Sequence, residues 1–231
     1  MATYTNCALC RVRKLPLRTS GFTLLELLVA ISIMAVLAIL SWRGLDGMTS
    51  AQSHIQEQSD ALRGLEAGLG QWRADWDAMT ERPGVTSLDW NGNTLRLLRP
   101  GQGPNATGLI VVAWTVRGTG AAGQWSRWQS PVLQSKADIG TAWLRAAQWA
   151  SYASEDEARQ AVSIIPMAGW QLFYYRGNAW SNPLSSADEQ GSAASSIPDG
   201  VRLVVEFPAN PTLTGKLTHE WVRASVGGGK S

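Results

Sequence analysis

The stretch SGFTLLELLVAISIMAVLAIL, residues 20–40, holds an apolar run from Phe22 to Leu40 that carries a single carboxylate, Glu26, near its start. Nineteen residues at ~1.5 Å each span roughly 28 Å of α-helix, which matches the hydrocarbon core of a bilayer. We therefore predict a transmembrane helix over residues 22–40. A carboxylate in lipid costs at least about 2.5 kcal/mol, so we expect Glu26 to have a function.

The residues before this helix are basic. Arg11, Arg13, Lys14 and Arg18 precede Gly21, and no acidic residue does. By the positive-inside rule, this asymmetry predicts a cytoplasmic N-terminus and a body on the far side of the membrane. The whole chain has a formal net charge of +2, so the part after Gly21 sums to −2 (+2 minus +4). A mildly acidic body argues against nucleic acid as a partner.

Metal-binding residues are sparse. Both cysteines, Cys7 and Cys10, lie in the basic leader, and the two histidines, His54 and His219, are far apart. A lone Cys-x-x-Cys pair without a second pair of ligands does not make a structural zinc site. We expect the cysteines to stay reduced in the cytoplasm, and we predict no metal, no cofactor and no disulfide in the body.

The residues around the start of the helix form a specific pattern. Gly21 is followed by Phe22, by Thr23-Leu24-Leu25-Glu26 and by an uninterrupted apolar run. Over residues 18–48 this pattern resembles the N-terminal signal of type IV prepilins and type II secretion pseudopilins. A cleaved secretory signal would have a shorter apolar core followed by a small-residue site, and SWRGLDGM after Leu40 offers none.

The resemblance implies a processing step and a role for the carboxylate. Residues 1–21 would be a leader that a prepilin peptidase removes after Gly21, and Phe22 would become the N-methylated terminus. Glu26 would pair with the N-terminal amine of a neighbouring subunit, since two costly charges become tolerable in an apolar bundle when they neutralise each other. The residues alone leave an alternative open, in which Glu26 lies at the cytoplasmic headgroups and is solvated there.

Beyond the membrane the apolar residues continue at helical spacing. No proline interrupts the chain between Phe22 and Arg82, and Pro83 supplies a stop. We predict an amphipathic helical stem over 41–80, continuous with the membrane helix as far as Thr80. Its C-terminal half is expected to pack on a sheet and its N-terminal half to face partner subunits. One apolar stripe repeats every seven residues, at Met48, Ile55, Leu62, Leu69 and Trp76.

The periodicity then changes towards two, which is typical of strands. Short turns between the strands predict an antiparallel sheet, and a helix before it predicts an α+β fold. We predict a globular domain over 81–226 and a flexible tail over 227–231, and the resemblance to prepilins implies that the fold is pilin-like. The segments predicted as strands are TLRLLRP (94–100), LIVVAWTVRG (109–118), GQWSRWQS (123–130), WQLFYYRG (170–177), AWSNPL (179–184) and VRLVVEF (201–207).

The sequence does not decide the secondary structure of two segments of the body, 136–149 and 155–163. In the second, Ser154 and Glu157 have the spacing of a capping box for a short helix. The tryptophans that cluster at and beyond Trp72 favour a role as core residues over a carbohydrate-stacking platform.

No catalytic constellation is recognisable, so we predict that the protein is not an enzyme. GTGAAG (118–123) has the glycine spacing of a dinucleotide motif, but a strand-like segment follows it in place of a helix, which favours a glycine-rich hairpin. Asp75 and Asp77 are close in sequence but fall on different faces of a helix, so both are expected to be solvated.

The order of the downstream segments resembles the J-type minor pseudopilins of type II secretion. That resemblance implies a single-pass inner-membrane protein with a periplasmic domain, assembled at or near the pseudopilus tip to support protein export. Its partners would be the prepilin peptidase, the major pseudopilin, I- and K-like minor pseudopilins, the inner membrane and secreted proteins. Two alternatives stay open, a minor pilin that primes a type IV pilus and a membrane-anchored periplasmic binding module. The segments that carry the resemblance are WRGLDGM, WRADWDAMTERP, RLLRP, WSRWQSP, FYYRGNAW and IPDGVRL.

Overall fold

The structure is a computed structural model that describes residues 21–103, 107–152, 157, 159–185, 197–209 and 212–224. Its contacts divide the chain into two units, Met1–Gln52 and Ser53–Ser231. The basic residues and cysteines of the predicted leader, the predicted tail over 227–231 and Ser154 of the predicted capping box lie outside the described residues.

One helix, α1 (Leu24–Asp77), contributes to both units. It confirms the predicted long N-terminal helix, and its ends fall within a few residues of the predicted ones. An 18-residue window of α1 near the N-terminus has a mean hydropathy of 2.6, and none of its residues is buried. By length and composition this part of the helix can cross a membrane.

In its described residues the second unit has nine strands in two antiparallel sheets, which confirms the predicted α+β class. The order is β1-β2-β3-β4-β5 in the first sheet and β7-β6-β8-β9 in the second. The strands are β1 (Leu88–Trp90), β2 (Thr94–Pro100), β3 (Leu109–Arg117), β4 (Gln124–Gln129), β5 (Ala161–Pro166), β6 (Gly169–Arg176), β7 (Ala179–Ser181), β8 (Gly200–Phe207) and β9 (Gly215–Val222).

All six predicted strands are present, and β1, β5 and β9 are additional. β5 begins within the undecided segment 155–163 and extends beyond it to Pro166. β9 (GKLTHEWV) mixes polar and apolar residues because only one of its faces turns inward. Between β3 and β4 the glycine-rich segment forms a short 3-10 turn over Gly120–Ala122, which confirms the predicted hairpin.

A second helix, α2 (Lys136–Ser151), occupies the other undecided segment. Ser135 caps it, since its hydroxyl accepts the backbone N–H of Asp138 at 3.1 Å. The buried residues of α2 recur at helical spacing and pack on the outer face of the first sheet. They are Ile139, Ala142, Ala146 and Trp149.

The main core of the second unit lies between the C-terminal half of α1 and the inner faces of the two sheets. Strand β3 reads LIVVAWTVR because it is buried on both faces, by α1 on one side and by α2 on the other. Only part of the predicted seven-residue stripe reaches this core, since Ile55 is 65% exposed and Leu62 is 44% exposed. The side of α1 that is buried carries Leu65, Gly68, Trp72, Asp75 and Trp76.

Candidate functional site

The N-terminal end of α1 is built as a capping box. The backbone N–H of Thr23 donates to Glu26 Oε2 at 3.1 Å, and the Thr23 hydroxyl donates to the same oxygen at 3.0 Å. In return, the backbone N–H of Glu26 donates to Thr23 Oγ1 at 3.3 Å. The first turn of a helix leaves backbone N–H groups without partners, and this Thr-x-x-Glu pair satisfies two of them. Sequence reasoning assigned Glu26 to assembly and missed this local role.

Gly21 and Phe22 lie just before that cap and are open to contact. A Cβ atom placed on Gly21 would meet no heavy atom within 4 Å, and the Phe22 side chain is 79% exposed. The peptide bond between the two residues is therefore unobstructed by the rest of the described chain. A side chain at position 21 would therefore leave the described fold unchanged.

The helix that follows this site is apolar on every side. In the first unit its large apolar side chains are each at least half exposed, from Leu24 to Met48. Such a helix is stable only in a bilayer or against other apolar helices. The exposed residues include Leu24, Leu25, Leu28, Ile31, Met34, Leu37, Leu40, Trp42 and Leu45.

Comparison with known proteins matches residues 17–42 to the prokaryotic N-terminal methylation motif. The chain is also similar to "Type II secretion system protein J" of Escherichia coli, with 23% identity over 200 residues. That alignment covers 82% of this chain and 90% of the other protein. The chain resembles this secretion protein. The similarity extends well beyond the prepilin-type motif, so most of it lies in the sheet-containing unit.

The second unit holds a buried ionic cluster that was not predicted from the sequence. Asp75 was expected to be solvated, and this expectation is wrong, since its side chain is fully buried. Trp114 Nε1 donates a hydrogen bond to Asp75 Oδ2 at 2.9 Å. Arg127 donates two, from its Nε to Oδ2 at 2.7 Å and from its Nη2 to Oδ1 at 2.9 Å. Arg99 Nη1 and Gln71 Nε2 also donate to Oδ1. The spacing of Asp75 from Trp72 and Trp76, on the buried side of α1, was the signal that could have placed it inside.

Asp77 was also expected to be solvated, and this agrees in part with the structure, in which its side chain is 56% exposed. It nevertheless accepts a hydrogen bond from Trp221 Nε1 at 2.7 Å. The two carboxylates are therefore on different faces of α1, as predicted, and both have partners in the body.

Among the described residues of the second unit, burial shifts the pKa of three titratable groups. It raises the pKa of Tyr174, whose ring lies in the core, and lowers the pKa of the Arg176 guanidinium above that ring. Burial also lowers the pKa of His219, and the positive charge of Arg73 lowers it further.

The tryptophans serve mainly as core residues. All twelve lie in the described part of the chain, and Trp42 is the one whose side chain is mostly exposed. Trp72 contacts four other indole rings at 5.3–6.0 Å between centroids. Trp180 has Arg202 over one face at 4.2 Å and Tyr175 beside it at 5.2 Å, so it offers no bare ring for a sugar. Among the described residues, no three acidic, histidine or cysteine side chains are grouped to hold a metal ion.

Proposed function

We propose that this chain is a minor pseudopilin of the type II secretion system, assembled by its N-terminal helix at or near the tip of a periplasmic pseudopilus. The observation that carries the proposal is the prepilin-type motif at residues 17–42 on a chain that is similar to secretion protein J over 82% of its length. In this role the chain is a structural subunit and has no catalytic activity.

The processing step in this proposal is a cut between Gly21 and Phe22 by a prepilin peptidase, followed by N-methylation of Phe22. The open environment of Gly21 supports it, because a peptidase can reach this bond without unfolding α1. The apolar helix then remains as the single membrane span, with a cytoplasmic N-terminus and a periplasmic body, until the subunit enters the filament.

Glu26 would then pair with the new N-terminal amine of a neighbouring subunit. Its carboxylate is exposed at the first turn of α1, and it is held there by Thr23. In a bundle of apolar helices a lone carboxylate and a lone amine are each costly, and their pairing removes much of that cost. Assembly of subunits in register would therefore be favoured over other arrangements of the helices.

The partners follow from the same proposal. They are the prepilin peptidase, the inner membrane, the major pseudopilin, I- and K-like minor pseudopilins and secreted proteins. The exposed apolar residues of α1 beyond the span, such as Trp42, Met48 and Ile55, supply a surface for neighbouring helices. The energy for assembling the filament would come from separate cytoplasmic machinery and not from this chain.

The experiment that tests the proposal is intact mass and N-terminal sequencing of the chain recovered from a host with its own prepilin peptidase. We expect a mature chain that begins at N-methylated Phe22. A full-length chain that still carries Cys7 and Cys10 would reject the filament role and favour the anchored binding module. Gly21→Ala should still be processed, whereas Gly21→Leu should block the cut.

The minor pilin of a type IV pilus shares the same N-terminal signal and so predicts the same processed mass. The similarity to a secretion protein over the body favours the secretion system. Co-purification of the processed chain with secretion pseudopilins, and not with pilus subunits, is the expected result.

A further inference from the structure

We infer that the first sheet carries a docking strip for a carboxylate of a neighbouring filament subunit, an inference that rests on the proposed function. The strip consists of Arg127, Gln129 and Val162, and it lies on β4 and β5 beside the buried Asp75 cluster. We call it the Arg127 strip.

The first reason is an imbalance of charge. Two guanidiniums, Arg99 and Arg127, donate to one carboxylate, Asp75, so the cluster has a net charge of +1. The Arg99 side chain is only 2% exposed, and its Nε is buried without a hydrogen-bond partner among the described residues. Charges removed from water are stable only when opposite charges compensate them, and within the described part of the chain one positive charge of this cluster has no acidic partner.

The second reason is geometry. Arg127 is the cluster's charged side chain that reaches the surface, with 11% of it exposed. Its Nη1 donates to Gln129 Oε1 at 2.9 Å, and Gln129 is exposed. Val162 is the register partner of Arg127 across β4 and β5, so the two side chains share a sheet face. Val162 is 62% exposed, whereas Trp114, the register partner of Arg127 on β3, is buried in the core beneath α1.

These features specify the occupant. Two nitrogens of the Arg127 guanidinium donate to Asp75, whereas Nη1, on its outward side, donates only to the neutral amide of Gln129. A carboxylate in place of that amide would balance the remaining charge and accept N–H groups of the guanidinium. The exposed Val162 beside it suits an apolar side chain next to the carboxylate. A free phosphate would use the guanidinium but would leave Val162 in water, so the combination favours an Asp or Glu on a protein segment.

The test uses the full chain, expressed in a host with the secretion assembly machinery. Val162 is replaced by the photoreactive p-benzoylphenylalanine, and a second chain carries the same group at Ile55, on the exposed side of α1. We expect both positions to form adducts with other pseudopilins, and we expect the Val162 adduct to map to a peptide that contains an Asp or Glu.

Gln129→Glu then supplies the missing carboxylate from within the chain. It should leave the melting temperature unchanged or raise it, and it should reduce the Val162 adduct by at least about tenfold because two carboxylates would meet. Gln171→Glu is the matched control, since Gln171 is an exposed glutamine on the second sheet, and it should leave the adduct unchanged.

The outcomes separate the two proposals. Adducts at Ile55 without any at Val162 would overturn the docking strip and leave the filament role standing. If neither position forms an adduct, both the docking strip and the filament role are overturned. A Val162 adduct that survives Gln129→Glu, or a Gln129→Glu chain with a clearly lower melting temperature, would also reject the strip as a carboxylate site.

Discussion

Asp77 in the last turn of α1 accepts a hydrogen bond from the indole N–H of Trp221 in β9, 144 residues further along the chain. The bond joins the end of the helix to the outermost strand of the second sheet. Trp221 is 5% exposed and packs against Trp76 at 5.4 Å between centroids, so its N–H has little access to water.

This contact predicts different effects for two substitutions at one position. Asp77→Ala should lower the free energy of unfolding by about 1–3 kcal/mol, because it leaves the indole donor without a partner. Asp77→Asn keeps an oxygen acceptor and should cost less than about 1 kcal/mol. Urea denaturation of the detergent-solubilised chain, followed by tryptophan fluorescence, measures both. Equal losses would mean that the carboxylate charge, and not the hydrogen bond, stabilises this end of the helix.

Two glycines of α1 are predicted to respond in opposite directions to alanine. A Cβ on Gly68 would lie 2.7 Å from Ile164 Cγ2 and 2.9 Å from Trp125 Cζ3, so Gly68→Ala should destabilise the chain by about 1–3 kcal/mol. A Cβ on Gly70 would meet nothing within 4 Å, and Gly70→Ala should stabilise it by up to about 1 kcal/mol. The same urea denaturation assay measures the change in the free energy of unfolding for both variants. A neutral Gly68→Ala would show that Ile164 moves aside without cost.

The stability of the body should fall as the pH falls below about 6.5. Burial, and then Arg73, lower the pKa of His219 in the folded chain, whereas the unfolded chain binds its proton near pH 6.5. Between these two values the unfolded state holds more protons, so acid favours unfolding, and the contribution is fully present above the unfolded pKa. His219→Gln should flatten the dependence of the denaturation midpoint on pH between 7 and 5. Parallel curves for the two chains would exclude His219 as a cause.

Substitutions at Glu26 can separate helix capping from charge pairing. Glu26→Gln keeps an oxygen that can accept the Thr23 N–H, and Glu26→Val removes both the acceptor and the charge. If the carboxylate pairs with an amine of the next subunit, both variants should be processed normally and both should be lost from sheared filaments. The measurement is the fraction of each variant in the filament relative to the membrane. Incorporation of the Gln variant at the normal level would limit Glu26 to its capping role.

The long helix and most of the strands could be predicted because their signals are local. An apolar run, a hairpin turn or an alternating strand depends on neighbours in the sequence, and β2 was predicted from Thr94 to Pro100 as it is found. The edge strand β9 was not predicted, because half of its side chains face water and its pattern resembles a loop.

The buried position of Asp75 could not be read from its own residue type. A carboxylate is buried only when distant partners compensate it, and here these come from β2, β3 and β4, 24 to 52 residues away. The N-terminal signal, in contrast, is contained in a few adjacent residues. For that reason the candidate site at Gly21, Phe22 and Glu26 could be named from the sequence, although the Thr23 cap could not.

Because β3 is buried on both faces, a fragment of this protein for work in aqueous solution has to include the helix that covers one of them. Its six consecutive buried residues, from Ile110 to Thr115, are shielded on one side by the part of α1 that ends at Asp77. A fragment that starts after Asp77 would leave an open apolar groove lined by indole rings and would aggregate. One that starts near Ser53 omits the membrane span and keeps the part of α1 that covers β3.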